Sequence, residues 1–148
     1  MNAEPTTPLP ASPPLSSSDL LCLTVRQPWA WLIVWAGKDI ENRTWCTGQR
    51  GKIFIHAAKG MTKDEYIQGK FFARHIHPAL MVPEMGALER GGIIGLVDLV
   101  DCVHRSRSPW FSGPWGMVLR NPIPMNFMPC KGALGFWRLH GHNAADEP

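Results

Sequence analysis

Residues 21–57 read LCLTVRQPWAWLIVWAGKDIENRTWCTGQRGKIFIHA, and the order of elements in this stretch decides the fold. Leu21 to Val25 is a short apolar strand. Pro28 follows; it suits the first turn of a helix, where its missing amide hydrogen is not needed. The helix runs to about Ala36 and stops at Gly37, a residue that readily takes the left-handed conformation ending many helices. It is apolar nearly all round, so it must be mostly buried. Asp39 to Trp45 is expected as a strand. Gly51 to His56 is another, with Ile53 and Ile55 alternating against Phe54 and His56.

Working outward, Met61 to His75 has a helical pattern. Thr62 is placed as its N-cap, and Glu65 three residues later completes a capping box. Gly91 to Val103 is a long, strongly β-branched run. Strict alternation would put Ile94, Leu96, Asp98 and Val100 on one face, and Ile93, Gly95, Val97, Leu99 and Asp101 on the other. Trp115 to Leu119 and Gly135 to Leu139 complete the set of strands. Several strands, few helices and abundant Gly and Pro favour a barrel over a parallel α/β sheet. The expected class is mixed α+β, mainly β, with a barrel flanked by short helices.

The 148 residues fit one domain with ragged ends. Residues 1–19 are rich in Pro and Ser and hold almost no large apolar groups apart from Leu9 and Leu15, so they are expected as a disordered tail. Residues 140–148 are expected as a second, flexible tail, which leaves 20–139 as the domain. All 15 Lys and Arg fall inside that domain with only 8 of the 12 acids, a net of +7 against +3 for the whole chain. From Cys102 to Ala145 no Asp or Glu occurs, while Arg105, Arg107, Arg120, Lys131 and Arg138 do. Such a segment is a footprint for phosphate or simply a solvated basic face.

No Lys or Arg precedes Arg26 and no apolar run precedes Leu20, so the start does not read as a secretory signal. Trp29 to Ala36 is too short to span a bilayer. A soluble, cytoplasmic protein is expected, without membrane partners. Cys22, Cys46, Cys102 and Cys130 form no C-x-x-C pair, and reduced thiols are expected. Cys102 and His104 share a strand face, but nothing nearby completes four ligands, so neither a metal nor another cofactor is called for.

The densest polar cluster is Gly37-Lys38-Asp39-Ile40-Glu41-Asn42-Arg43, where a buried helix gives way to a strand. Asp39, Glu41 and Arg43 would share a face, with Lys38 at the helix exit. Arg takes a phosphate bidentately, Lys supplies a point charge, and Glu41 can orient Arg43 or accept from a base amino group. The alternative is a salt-bridge cluster that tightens the strand.

With Arg26-Gln27-Pro28-Trp29-Ala30 before it and Arg50-Gly51-Lys52-Ile53-Phe54-Ile55-His56-Ala57 after it, this order resembles the ASCH, or activating signal cointegrator homology, family. Gly95-Leu96-Val97-Asp98 and Gly135-Phe136-Trp137 match that family's later motifs, so the resemblance covers roughly Leu21 to Leu139. It implies a PUA-like β-barrel with a cleft between barrel and first helix that binds RNA, or in some members DNA. Carried onto this chain, it implies Lys38, Glu41 and Arg43 as cleft residues, Arg50 and Lys59 at strand ends, and Gln27, Pro28 and Trp29 as the opposite wall. Trp29 either stacks on a base or belongs to the core. His56 is either a general base or, more commonly, a buried hydrogen-bonded histidine.

The leading expectation is nucleic-acid binding, most naturally RNA, by a basic cleft; a modified nucleotide is a further possible ligand. The alternative is a small hydrolase. A metal-independent ribonuclease needs a base, a cation and an acid, for which Lys38, Lys59, His56 and Arg43 are candidates. Some proteins of similar fold are nucleoside amidohydrolases that use a Lys, a Thr three residues on, and a distal Glu. Lys38 matches the first, but Glu41 stands in the second place and no acid lies between Asp101 and Asp146. A protein-interaction or coactivator module is the third reading.

Overall fold

A computed structural model describes residues 20–139, and the tails expected at 1–19 and 140–148 lie outside them. The elements run β1 (Leu21–Val25), α1 (Trp29–Trp35), β2 (Ile40–Arg43), β3 (Gly51–Ala57) and α2 (Lys63–Ile76). A 3-10 turn (Met85–Ala87), β4 (Gly92–Val103), β5 (Trp115–Pro129) and β6 (Phe136–Arg138) follow. The six strands make one sheet in the order β2-β5-β4-β3-β1-β6. β1 runs parallel to β3, and the other pairs are antiparallel. The sheet curls into a half-barrel, as expected for a PUA-like fold.

Helix α1 has seven residues, too few to stand alone in water. Packing holds it: Ala30, Ile33 and Val34 enter the core inside the curl with Leu23, Ile55, Val97 and Met117, while Leu32 faces a second cluster under α2. A fully buried aliphatic side chain contributes about 1.5–3 kcal/mol. α1 comes close to the sheet at Gly95, where a Cβ would lie 2.7 Å from a Val34 methyl carbon. Helix α2 begins with the expected capping box between Thr62 and Glu65. Among the described residues no helix is long and apolar enough to cross a membrane.

Two expectations for the strands change. On β4, Ile94 joins Val97 and Leu99 in the main core, while Ile93 packs on the opposite face with Cys22 and Phe54. The cause is a break in register: Ile55 pairs with Gly95 but His56 with Ile93, so Ile94 bulges out of the ladder. Strand β5 continues beyond Leu119 to Pro129. β2 covers only Trp115 to Val118, so the rest of β5 is a sheet edge. There Pro122, Pro124 and Pro129 are tolerated, because their missing amide hydrogens would have faced away from the sheet.

The four cysteines are free, and Cys46 lies beside Cys102. His104 sets its ring edge-on against Trp115 at 5.5 Å. Among the described residues no three His, Cys, Asp or Glu side chains gather as metal ligands.

Candidate functional site

Strands β2 and β1 do not pair, and the opening between them is a cleft of about 780 Å3. α1 and α2 bound it on one side, and the chain leading into β6 on the other. Gly37 at φ +74° turns the backbone at the exit of α1, so that the Lys38 amide hydrogen-bonds the Leu32 carbonyl at 3.1 Å. That turn directs Lys38 inward, where its side chain is 2% exposed. Its ammonium donates to the Ile40 carbonyl, lies 3.7 Å from Glu41 Oε1, and sits 5.7 Å above the centroid of the Trp29 ring. At 3.7 Å the contact with Glu41 is an ion pair rather than a hydrogen bond.

Glu41 Oε2 in turn lies 3.7 Å from Arg43 Nη2, which donates to the Thr24 carbonyl at 2.8 Å. The cleft floor is therefore a chain of two cations and one carboxylate. Burial pushes the Lys38 amine below its ordinary value, and the nearby Arg43 charge adds to this. The Glu41 and Asp39 carboxylates oppose the shift. Glu41 Oε2 is buried and has no hydrogen-bond partner.

Three aromatic rings form a wall. Trp29 meets Phe72 edge-on at 5.9 Å, and Phe72 leans on Trp110 at 5.9 Å. Asn42 fixes the Trp110 end: its Nδ2 donates to the Trp110 carbonyl, and its Oδ1 accepts from the amides of Ser112 and Gly113. The loop from Ser106 to Pro114 is thus tied to β2 as a packed corner. Arg26 closes the mouth near α2, with its guanidinium bonded to both oxygens of Glu65 at 2.5 Å.

Of the residues singled out in the sequence, Trp29, Lys38, Glu41 and Arg43 come together here. Pro28 lies just behind the wall, against Gly69 of α2. Gln27 is buried, with its amide spent internally: Nε2 donates to the Glu89 carbonyl, and Oε1 accepts from the Trp31 amide. Asp39 turns out of the cleft toward Ser108 and Arg120. Arg50 stands at the far end of β3, roughly 23 Å of strand away, and faces Asp101.

Lys59 and His56 line a neighbouring cavity rather than the cleft. His56 is 2% exposed; its Nε2 donates to the Cys130 carbonyl at 2.8 Å, and its Nδ1 faces the Thr24 hydroxyl at 3.2 Å. Trp137 Nε1 donates to the same hydroxyl, so Thr24 is free to donate to Nδ1 and the ring is set as the Nε2–H tautomer.

Sequence reasoning missed Arg26, Asn42, Gln68 and Phe72 as cleft residues; of Arg107 and Trp110, the contacts expected from the loop Ser106 to Pro114, only Trp110 lines the cleft. Arg26 sits beside Gln27 in the quoted motif, and Gln68 and Phe72 are four apart on one face of α2. Asn42 and Trp110 meet only through the pairing of β2 with β5.

The ASCH domain model matches residues 23–118, a span that runs from the middle of β1 to the paired start of β5. Activating signal cointegrator 1 from Homo sapiens is 28% identical over 127 residues, covering 80% of this chain. The Mus musculus protein of the same name is 27% identical over the same length. The chain spans about a fifth (22%) of the length of these relatives. With the matched span holding the floor of the cleft and most of its walls, the chain belongs to the ASCH domain family.

Proposed function

We propose that the cleft holds a nucleic-acid strand, RNA in preference to DNA, with an amino-bearing base seated over Glu41. The observation that carries this reading is the orphaned Glu41 Oε2. A buried acceptor without a partner costs about 1–3 kcal/mol, and more when charged. A base amino group supplies the missing donor, and the carboxylate pairs most directly with cytosine N4. The Trp29–Phe72–Trp110 wall offers ring faces and edges for the base. Arg26 and Arg43 supply the positive field. Kinship with PUA-like domains favours RNA. A cytoplasmic site of action belongs to this reading.

One observation favours a second reading. A lysine amine held below its ordinary value in a cleft fits acid–base work, so a small hydrolase acting on RNA or a modified nucleoside remains the alternative. The name of the relatives fits a protein-interaction role as the third.

The test is fluorescence anisotropy of labelled single-stranded RNA and DNA across a salt series, with the same samples run on denaturing gels. Intact RNA that binds with a steep salt slope, and more weakly to Arg43→Ala and Glu41→Gln, supports the binding reading. Cleavage that disappears in Lys38→Met moves the protein to the hydrolase reading. No binding and no cleavage overturns both and leaves a protein partner.

A further inference from the structure

The cleft opens into a second cavity of about 790 Å3, and Thr24, Ala58, Ala133 and Leu134 line both. The second cavity has a different character. Lys59, Arg90 and Lys131 line it, and no Asp or Glu does. The three cations come from three connections: after β3, before β4 and after β5.

The sheet fixes their convergence. Ala57 pairs with Gly92 and Gly92 with Pro129, so the three chain ends lie side by side. The Gly91 amide donates to the Ala57 carbonyl at 2.8 Å, and the Cys130 amide donates to the Gly91 carbonyl at 3.1 Å. Arg90 Nη1 adds a bond to the Lys59 carbonyl at 3.1 Å. Among the described residues none of the three cations pairs with a carboxylate. Cations brought together by strand register, with no counter-charge in the wall, form a standing field for an anion.

At the border of the two cavities Leu134 is 99% exposed. It offers an apolar surface between the cleft and the cationic compartment. Each cavity falls in the size range of small-ligand sites. Together they take more than one nucleotide.

We propose that the second cavity is a phosphate subsite, in which Lys59, Arg90 and Lys131 hold the phosphodiester backbone of a strand whose base occupies the cleft. This rests on the reading of the cleft given above and narrows it. The ligand is an oligonucleotide, recognised through at least one internal phosphate, and a free nucleoside fills only half of the site.

The test uses the full chain with a fluorescein-labelled single-stranded RNA octanucleotide, and with cytidine and cytidine 5′-monophosphate as competitors. Each phosphate contact with a single strand contributes about 0.7 to the slope of log affinity against log salt. Lys59→Gln, Arg90→Gln and Lys131→Gln each lower the slope by about that amount, and the triple variant by about 2. Lys131→Glu weakens RNA binding more than Lys131→Gln. Lys70→Ala changes nothing, because Lys70 sits on the face of α2 opposite Gln68 and Phe72. Cytidine 5′-monophosphate competes better than cytidine on the parent protein, and this preference vanishes in the triple variant.

The two readings fail differently. Triad variants that keep the parent slope and preference, while Arg43→Ala weakens binding, overturn the subsite and keep the cleft. Loss of slope in the triad variants with Arg43→Ala and Glu41→Gln unchanged overturns the cleft and leaves the cationic cavity as an anion site in its own right. An octanucleotide that does not bind the parent protein overturns both.

Discussion

Arg43 Nη2 lies 2.8 Å from the carbonyl oxygen of Thr24, across the gap where β2 and β1 make no ladder. The curled sheet is thus closed by a side chain where it lacks a strand pair. Trp45 and Phe136 reinforce the same seam, with their rings edge-on at 5.7 Å. A residue that reads as a phosphate ligand is therefore also a clasp of the barrel.

This double role sets the first expected outcome. Arg43→Ala loses a charge-assisted hydrogen bond, worth about 1.5–3 kcal/mol, measured as a lower urea midpoint. Arg43→Lys keeps the charge but not the planar fork that reaches Thr24. If Arg43 acts mainly through position, the lysine variant binds RNA as weakly as the alanine one. If charge alone matters, lysine restores binding.

The buried pair beneath it sets the second. Glu41→Ala leaves the Lys38 ammonium buried without its counter-charge and costs about 3–5 kcal/mol. Lys38→Met combined with Glu41→Leu regains most of that loss, since an apolar pair of similar size replaces two desolvated charges. The pH dependence has a definite sign. The Lys38 amine sits below its ordinary 10.5 in the folded chain, chiefly through burial, so the unfolded chain binds the proton more tightly. Stability from this group rises with pH between the folded value and 10.5. Denaturation of the parent chain and of Lys38→Met at a series of alkaline pH values checks it: the rise belongs to the parent alone.

Much of this floor is legible in the sequence. Gly37 as the end of α1 and the G-K-x-x-E-x-R spacing put Lys38, Glu41 and Arg43 near one mouth. The spacing could not say that Asp39 would be drawn away by Ser108, because that contact spans 69 residues of chain. Alternation read most of β4 but not the swap of Ile93 and Ile94, since a bulge leaves no local mark among β-branched residues. Three prolines hid the second half of β5, because their tolerance depends on the neighbour that β2 fails to provide. Gln27 and Arg50 stand beside motif residues in sequence, yet one faces inward and the other faces the far rim.

The third outcome concerns the mouth. The Glu65 carboxyl is held below its ordinary 4.5, first by its hydrogen bond from Arg26. Stability from this pair is present above 4.5 and is lost as pH falls through the lower folded value. Both partners are partly in water, with side chains 49% and 28% exposed, so the pair contributes no more than about 1 kcal/mol. Glu65→Gln flattens the acid limb of the stability curve and weakens the α2 cap. It also releases the Arg26 guanidinium, so RNA binding at pH 7 rises if Arg26 is held back by Glu65 and falls if the pair is needed as a wall.

The last outcome concerns Gly132, in the chain segment that runs beside both cavities. A Cβ there would lie 2.6 Å from His56 Cε1 and 2.7 Å from Thr24 Oγ1. Neither atom can yield easily. The His56 ring is bonded at both nitrogens, and the Thr24 hydroxyl holds Trp137 as well. Gly132→Ala therefore lifts the segment or breaks the Trp137–Thr24–His56 chain, at a cost of about 1–3 kcal/mol for overpacking. The two results separate by spectroscopy. A lifted segment leaves the Nε2–H tautomer of His56 visible in nitrogen NMR and shifts only residues 131–135. A broken chain changes the imidazole signals and the Trp137 indole resonance together. In the first case Leu134 and Lys131 move, so octanucleotide affinity falls more than affinity for cytidine. Equal loss for both ligands would mean that the segment does not divide the site into two compartments.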